Sequence, residues 1–184
     1  IAKNGVTSWC PTTMTLSVEE ITRAFDTARK VKAEENCYGA KILGVNCEGP
    51  FINPSKKGAQ SEKFILAPDG DFIVGNADIL KLFTLAPEME GALECIQKVS
   101  EDGRVLASMG HTGATFEEAN AGIAAGVRHT THLFNAMTPL MHRNPGVVGA
   151  ALSDNRVSCE LIADTFHVHP GLYSMVAKAK GNKL

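Results

Sequence analysis

Short apolar, β-branched runs alternate with segments whose apolar residues recur at the helical period, and the alternation continues along the whole chain. Such a pattern predicts a parallel α/β architecture, each strand being followed by a crossover helix. The first strand is expected over Val6 to Pro11. A helix is expected from about Ser17 to Ala33: Ser17 and Glu20 have capping-box spacing, and Val18, Ile21, Phe25 and Ala28 share a face. The second strand is expected from about Ala40 to Glu48. The segment from Gly49 to Asp71 is too polar and too rich in Gly and Pro for regular structure, and its length marks it as a binding loop. A short helix near Ala77 to Lys81 and a strand near Leu82 to Ala86 follow. Met89, Leu93, Ile96 and Val99 align on a helix over about Glu90 to Glu101, and Val105 to Gly110 reads as a strand. Thr115 and Glu118 again have capping-box spacing, for a helix to about Ala125 closed by Gly126. The remaining expectations are a strand from His129 to Phe134, a turn or helix over GVVGAAL, a strand near Ser158 to Ile162, and a helix to about Lys180. Six strands with parallel crossovers suit a doubly wound sheet or six-eighths of a closed (β/α)8 barrel, and periodicity does not separate the two.

At 184 residues the chain is long enough for one domain with a real core. The formal charge of −2 gives no electrostatic reason to expect nucleic acid or an anionic membrane surface as partner. No apolar run approaches the ~20 residues of a membrane span. The start, IAKNGVTSWC, lacks the basic region and long apolar stretch of a signal peptide. Five cysteines (Cys10, Cys37, Cys47, Cys95, Cys159) are odd in number, widely spaced and without a CxxC, which reads as a reduced set of buried thiols in a cytoplasmic protein. Cys47 beside Glu48 invites a nucleophile reading, but strand alternation sends neighbouring side chains to opposite faces.

Three residues carry the chemistry. Glu48 closes KILGVNCEGPF, His111 closes VLASMGHT and His132 sits in HTTHLFNAM, each where an apolar strand meets a Gly-rich or polar loop. A Glu and two His suffice to hold a catalytic divalent metal, leaving positions open for water and substrate. Any one of them alone reads as a hydrogen-bonded structural group; the shared placement favours the metal reading, because strand C-termini form the catalytic rim of a (β/α)8 barrel. The ligand types suit Zn²⁺, with Fe²⁺ and Co²⁺ as alternatives.

The segments GVTSWCPTTMT, LGVNCEGPFINPSKKGA, GHTGATFEEANAGIAAG, THLFNAMTPLMHRNPGVVGAAL and ELIADTFHVHP together resemble the N-acetylglucosamine-6-phosphate deacetylase family of the amidohydrolase superfamily. The resemblance covers essentially the whole chain. It implies a (β/α)8 barrel of which strands two to seven are present. The family's first strand with its HxH motif would precede Ile1, its last strand with a catalytic aspartate would follow Leu184, and its β-sandwich is absent. The general acid is therefore expected outside the chain, and the isolated 184-residue piece is expected to be inactive.

Carried over residue by residue, the family's metal ligands fall on Glu48, His111 and His132. Its substrate contacts fall on Ala59, Asn135, Ala136, Arg143, Asp164, Thr165, Phe166 and His167. Arg143 is implied as the ligand of the sugar 6-phosphate, and in relatives it reaches across a dimer interface, which implies a homodimer. Asp164 reads rather as the residue that orients its loop. The chain departs from the pattern at Asn46, where many members have His; at Gln60, where some have His; and at Asp164-Thr165-Phe166-His167, which replaces the commoner DGLH. Asn46 shares a face with Glu48 and is expected in the metal's surroundings. The implied reaction is metal-dependent deacetylation of N-acetylglucosamine 6-phosphate. The competing readings are another amidohydrolase acting on a cyclic amide, and a non-catalytic metal- or phosphosugar-binding piece.

Overall fold

Two reciprocal capping boxes start helices where the spacing predicts them. Ser17 Oγ and Thr115 Oγ1 each accept the backbone N–H three residues on, and the Glu20 and Glu118 carboxylates accept the caps' own N–H groups at 3.2 and 2.8 Å. They open α1 (Val18–Ala33) and α4 (Phe116–Ala125). The computed structural model describes residues 1–34 and 39–184; the expectation for Cys37 lies outside the described residues. The other helices are α2 (Gly70–Gly75), α3 (Ala92–Asp102), α5 (Gly146–Ser153) and α6 (Tyr173–Lys180).

The strands are β1 (Ser8–Trp9), β2 (Thr12–Thr13), β3 (Lys41–Ile42), β4 (Val45–Glu48), β5 (Leu80–Leu85), β6 (Leu106–Met109), β7 (His129–Thr130) and β8 (Ser158–Cys159). β1 pairs with β3, and β2-β4-β5-β6-β7-β8 form one parallel sheet in unbroken chain order. That order decides the question left open by periodicity. A doubly wound sheet reverses its strand order at a switch point; this one never does, and it is the sheet of a (β/α)8-type barrel with six strand positions filled.

The sheet has two chemically different faces. The register aligns Glu48, Thr84, Ser108, His129 and Ser158 in one row across the strands. The adjacent row, on the opposite face, is Thr13, Cys47, Phe83 and Ala107. The apolar face packs with Ile21 and Phe25 of α1, Ile96 and Val99 of α3 and Ile123 of α4 into one core. On the polar face Ser108 Oγ meets Thr131 Oγ1 at 2.7 Å and His129 Nδ1 at 2.9 Å, and Thr131 Oγ1 meets Thr84 Oγ1 at 2.8 Å. A fully buried hydroxyl without a partner is costly, so these groups satisfy one another along the inside of the curl.

Three expectations are corrected. The helix expected at Ala77 to Lys81 lies earlier, at Gly70–Gly75, because the Asp69 carboxylate caps it through the Phe72 N–H at 3.0 Å. The strand expected from His129 to Phe134 stops at Thr130, since His132 and Phe134 have φ of 36° and 78°, incompatible with extended backbone. The first strand runs later than Val6 to Pro11, pairing at Ser8–Trp9 and then Thr12–Thr13. Pro11, without an N–H, stands at the break.

Candidate metal centre

Glu48 ends β4, while His111 and His132 each lie two residues beyond the end of their strands, β6 and β7. The parallel sheet, with β5 between β4 and β6, brings the three side chains together at its strand ends, and their ligand atoms lie within 4.8 Å of one another. Glu48 Oε1 is 2.9 Å from His111 Nε2 and 3.4 Å from His132 Nε2. The two Nε2 atoms are 3.1 Å apart. His111 Nδ1 is 2.9 Å from the Lys56 carbonyl and His132 Nδ1 is 3.1 Å from the Asn135 carbonyl. A carbonyl only accepts, so both Nδ1 atoms carry protons and donate. In the neutral rings each Nε2 therefore presents a lone pair. Two lone pairs and a carboxylate then face one another with no donor among them, an arrangement that a shared proton or a cation resolves. An imidazole that donates its far N–H to a carbonyl is the usual bearing of a metal-ligating histidine.

The backbone is bent to reach this geometry. His111 and His132 have φ of 48° and 36°, in the left-handed region that costs non-glycine residues about 1–3 kcal/mol. Burial alone would raise the Glu48 pKa, but hydrogen bonds and charge from His111 and His132 outweigh it and leave the carboxyl at about 2. Burial disfavours the charged form of His132, but bonding and charge from Glu48 prevail and raise its pKa above the ordinary value.

The Glu48 carboxylate is held from outside by Gln60, which stands where some members of the resembled family have His. The Thr15 N–H donates to Gln60 Oε1 at 2.7 Å, which turns the amide nitrogen toward Glu48 Oε1 at 3.2 Å. Asn46, on the face of β4 that carries Glu48, has its Nδ2 3.4 Å from Thr12 Oγ1 on the next strand. No local signal separates the two; Gln60 arrives through a twelve-residue excursion of the loop after β4.

The remaining candidates stand on separate loops. Ala59 is exposed beside Gln60. Asn135 offers its carbonyl to His132, and Ala136, with φ 49°, offers its own to the Thr112 N–H. Arg143 is exposed, with Nη1 2.8 Å from His142 Nε2, and lines a cavity of about 370 Å³ with Thr115, Phe116, Thr138 and Gly146. Asp164 Oδ1 accepts the N–H groups of Phe166 and His167 at 2.9 and 2.8 Å, and Oδ2 accepts His167 Nδ1–H at 2.6 Å. Those bonds, His167 foremost, lower the Asp164 pKa to about 2. Thr165 has φ 67° and donates its N–H to Tyr173 Oη, and Phe166 is 88 % exposed.

Cys47 is fully buried on the apolar face, and burial pushes its thiol pKa up to about 12. It is no nucleophile. At neutral pH a thiol reagent is expected to leave Cys47 unlabelled in the native protein and to label it after denaturation; prompt native labelling at Cys47 would contradict its placement.

No protein-family model matches the chain. An N-acetylglucosamine-6-phosphate deacetylase of Bacillus subtilis is 38% identical over 188 residues, covering 99% of this chain and 47% of the relative. An N-acetylgalactosamine-6-phosphate deacetylase of Escherichia coli O157:H7 is 38% identical over 178 residues, covering 95% of this chain and 47% of the relative. The crystal structure of N-acetylglucosamine-6-phosphate deacetylase from Pasteurella multocida superposes with a TM-score of 0.87 at 34% identity, covering 97% of this chain and 46% of that one. The chain spans about half the length of the curated relatives it matches. Among the described residues no helix is long and apolar enough to cross a membrane. Barrel-type strand order, a carboxylate and two imidazoles converging at the strand ends, and similarity along nearly the whole chain together relate this protein to the N-acetylglucosamine-6-phosphate deacetylases.

Proposed function

We propose that the chain carries the metal-holding part of an amide hydrolase that converts N-acetylglucosamine 6-phosphate to glucosamine 6-phosphate and acetate. The observation that carries this reading is the meeting of Glu48 Oε1 with two Nε2 atoms whose Nδ1–H groups are already committed to carbonyls. That donor set fits a divalent cation, Zn²⁺ first, with Fe²⁺ and Co²⁺ as alternatives. Such a cation supplies Lewis acidity: it acidifies water and polarises the amide carbonyl. Glu48, His111 and His132 hold it, and the Lys56 and Asn135 carbonyls fix the ring orientations. Asp164 orders the loop that presents His167, whose Nε2 is left free toward the substrate amide. Glu48 and Asp164 both lie near 2, so neither stores the proton that the leaving amine requires. Ala59, Asn135, Ala136 and the stretch Asp164, Thr165, Phe166 and His167 form the sugar's surroundings in this reading.

Arg143 takes the 6-phosphate. Its planar fork matches phosphate oxygens, and a charge-assisted contact of this kind contributes about 1.5–3 kcal/mol. In the protein that carries this chain, Arg143→Ala is expected to raise KM for the phosphorylated sugar ~10- to 100-fold and to change KM for unphosphorylated N-acetylglucosamine little. Equal effects on both sugars would refute a phosphate contact. The reaction itself is tested on the longer protein that carries this chain, by amine release from the sugar phosphate when metal-replete and its loss on chelation. Absence of release under both conditions overturns the proposal.

A second reading concerns the hexose. The relatives named for the glucosamine and galactosamine phosphates are equally identical to this chain, at 38%. Assay of both N-acetyl sugar phosphates decides between them. We assign the protein to the cytoplasm, a reading supported by the free state of Cys10, Cys47, Cys95 and Cys159. We also read it as a homodimer, which the exposed Leu140, Met141 and Arg143 on one loop would suit.

A further inference from the structure

Glu88 lies in the loop after β5 and touches neither of the metal-site histidines, yet the loops around His111 converge on it. Its Oε1 accepts the Gly113 N–H at 2.6 Å and the Asn53 Nδ2–H at 2.9 Å. Its Oε2 accepts the Thr112 hydroxyl at 2.6 Å. Asn53 in turn donates its backbone N–H to the His111 carbonyl at 2.9 Å. One carboxylate thus joins the loops after β4, β5 and β6. The Thr112 N–H bond to the Ala136 carbonyl, at 3.0 Å, extends the set to the loop after β7.

These bonds enclose the strained residue. His111, at φ 48°, adopts a conformation that persists only where its surroundings over-determine it. Thr112 and Gly113, the two residues that follow His111, are gripped by Glu88, and the His111 carbonyl is gripped by Asn53, which Glu88 also holds. The packing is close: a Cβ at Gly113 would stand 3.3 Å from Asn53 Nδ2 and 3.6 Å from Glu88 Oε1. Thr112 is fully buried, so loss of its acceptor leaves a hydroxyl that water cannot readily satisfy.

We propose that Glu88 is a positioning residue for the metal centre: by fixing the Thr112–Gly113 backbone and Asn53 it holds His111 in the left-handed conformation that aims Nε2 at Glu48 and His132. The inference rests on the metal reading of the Glu48, His111 and His132 cluster and goes beyond it, since Glu88 contacts no ligand side chain. Gln replaces Glu only in part: its Oε1 can keep the Gly113 and Asn53 N–H groups, but the charge that strengthens those bonds is lost and the Thr112 hydroxyl must turn from donor to acceptor to meet Nε2.

The test uses Zn²⁺ and Co²⁺ as probes on this chain and on Glu88→Gln, Glu88→Ala and Thr112→Val. Zn²⁺ Kd is measured by chelator competition, the Co²⁺ visible spectrum reports ligand geometry, and Tm reports folding. The Glu88 variants are expected to bind Zn²⁺ ~10- to 100-fold more weakly, the range that residues supporting a ligand command, and to alter the Co²⁺ spectrum. Thr112→Val removes the hydroxyl's bond to Glu88 and the one it accepts from the Ala114 N–H but leaves Gly113 and Asn53 on the carboxylate; it should shift both in the same direction by less and covers the case in which the Glu88 variants do not fold. A lower Tm with unchanged Kd and unchanged Co²⁺ spectrum makes Glu88 a structural staple only and overturns the proposal. If the parent chain binds neither ion, the metal reading fails, and the positioning role is then read from ring nuclear magnetic resonances without metal. His111 resonances should move in Glu88→Gln while those of His169, which caps the turn before α6, stay; unmoved His111 resonances overturn it.

Discussion

Glu48→Ala is expected to weaken Zn²⁺ binding by on the order of 10³-fold, beyond the ~10- to 100-fold that follows from disturbing residues behind the ligands. Glu48 is the negative charge of the centre, and its Oε1 lies within 3.4 Å of both Nε2 atoms. Its removal leaves two imidazoles, 3.1 Å apart, with lone pairs that repel and no charge to offset a dication. Despite burial, bonding and charge from the two imidazoles hold the carboxyl at about 2, so Glu48 stays ionised at higher pH. A Glu48→Ala protein with full metal occupancy by elemental analysis, after dialysis against a weak chelator, would sink the ligand assignment.

Phe83→Ala is expected to destabilise the fold by about 3–5 kcal/mol, a large share of the roughly 5–15 kcal/mol available to a domain. Phe83 is fully buried on β5, and its neighbours in the same register row are Thr13, Cys47 and Ala107. It is the one large side chain in that row. Small flanking residues on paired strands cannot extend to fill the space, and the strands cannot close up without breaking the ladder, so the cavity stays open. Urea unfolding should show a lower midpoint with an unchanged slope. A loss under 1 kcal/mol would mean that the core around β5 collapses more freely than the register allows.

The two predictions differ in how far they could be written without a structure. Glu48 could be chosen from the chain alone, because it follows an apolar run and precedes a Gly-Pro loop, a local pattern. The capping pairs Ser17–Glu20 and Thr115–Glu118 were legible for the same reason: a cap and its partner lie three residues apart and need no distant contact. Phe83 reads from sequence only as one apolar residue among several in LKLFTLA. Its importance comes from strand register, which is a relation between segments far apart in the chain.

Sequence by itself determined the alternation of strands and helices, the composition of a core, and the three ligand-type residues at strand ends, since each rests on periodicity or on neighbours within a turn. Tertiary structure alone decided the rest. Whether six parallel strands belong to a doubly wound sheet or a barrel depends on the order of pairing, which local pattern does not encode. That His132 sits on a left-handed turn rather than in a strand follows from the demand that its Nε2 meet Glu48 and His111, and long-range packing outweighs the strand preference of the residues around it. Gln60 and Glu88 look in sequence like polar loop residues of the kind that water solvates. Folding brings Thr15 and Glu48 to one, and Asn53, Thr112 and Gly113 to the other, from separations of 12 to 45 residues. A hydrogen bond across such a distance leaves no trace in the spacing of either partner, because only the closed fold sets the two groups side by side.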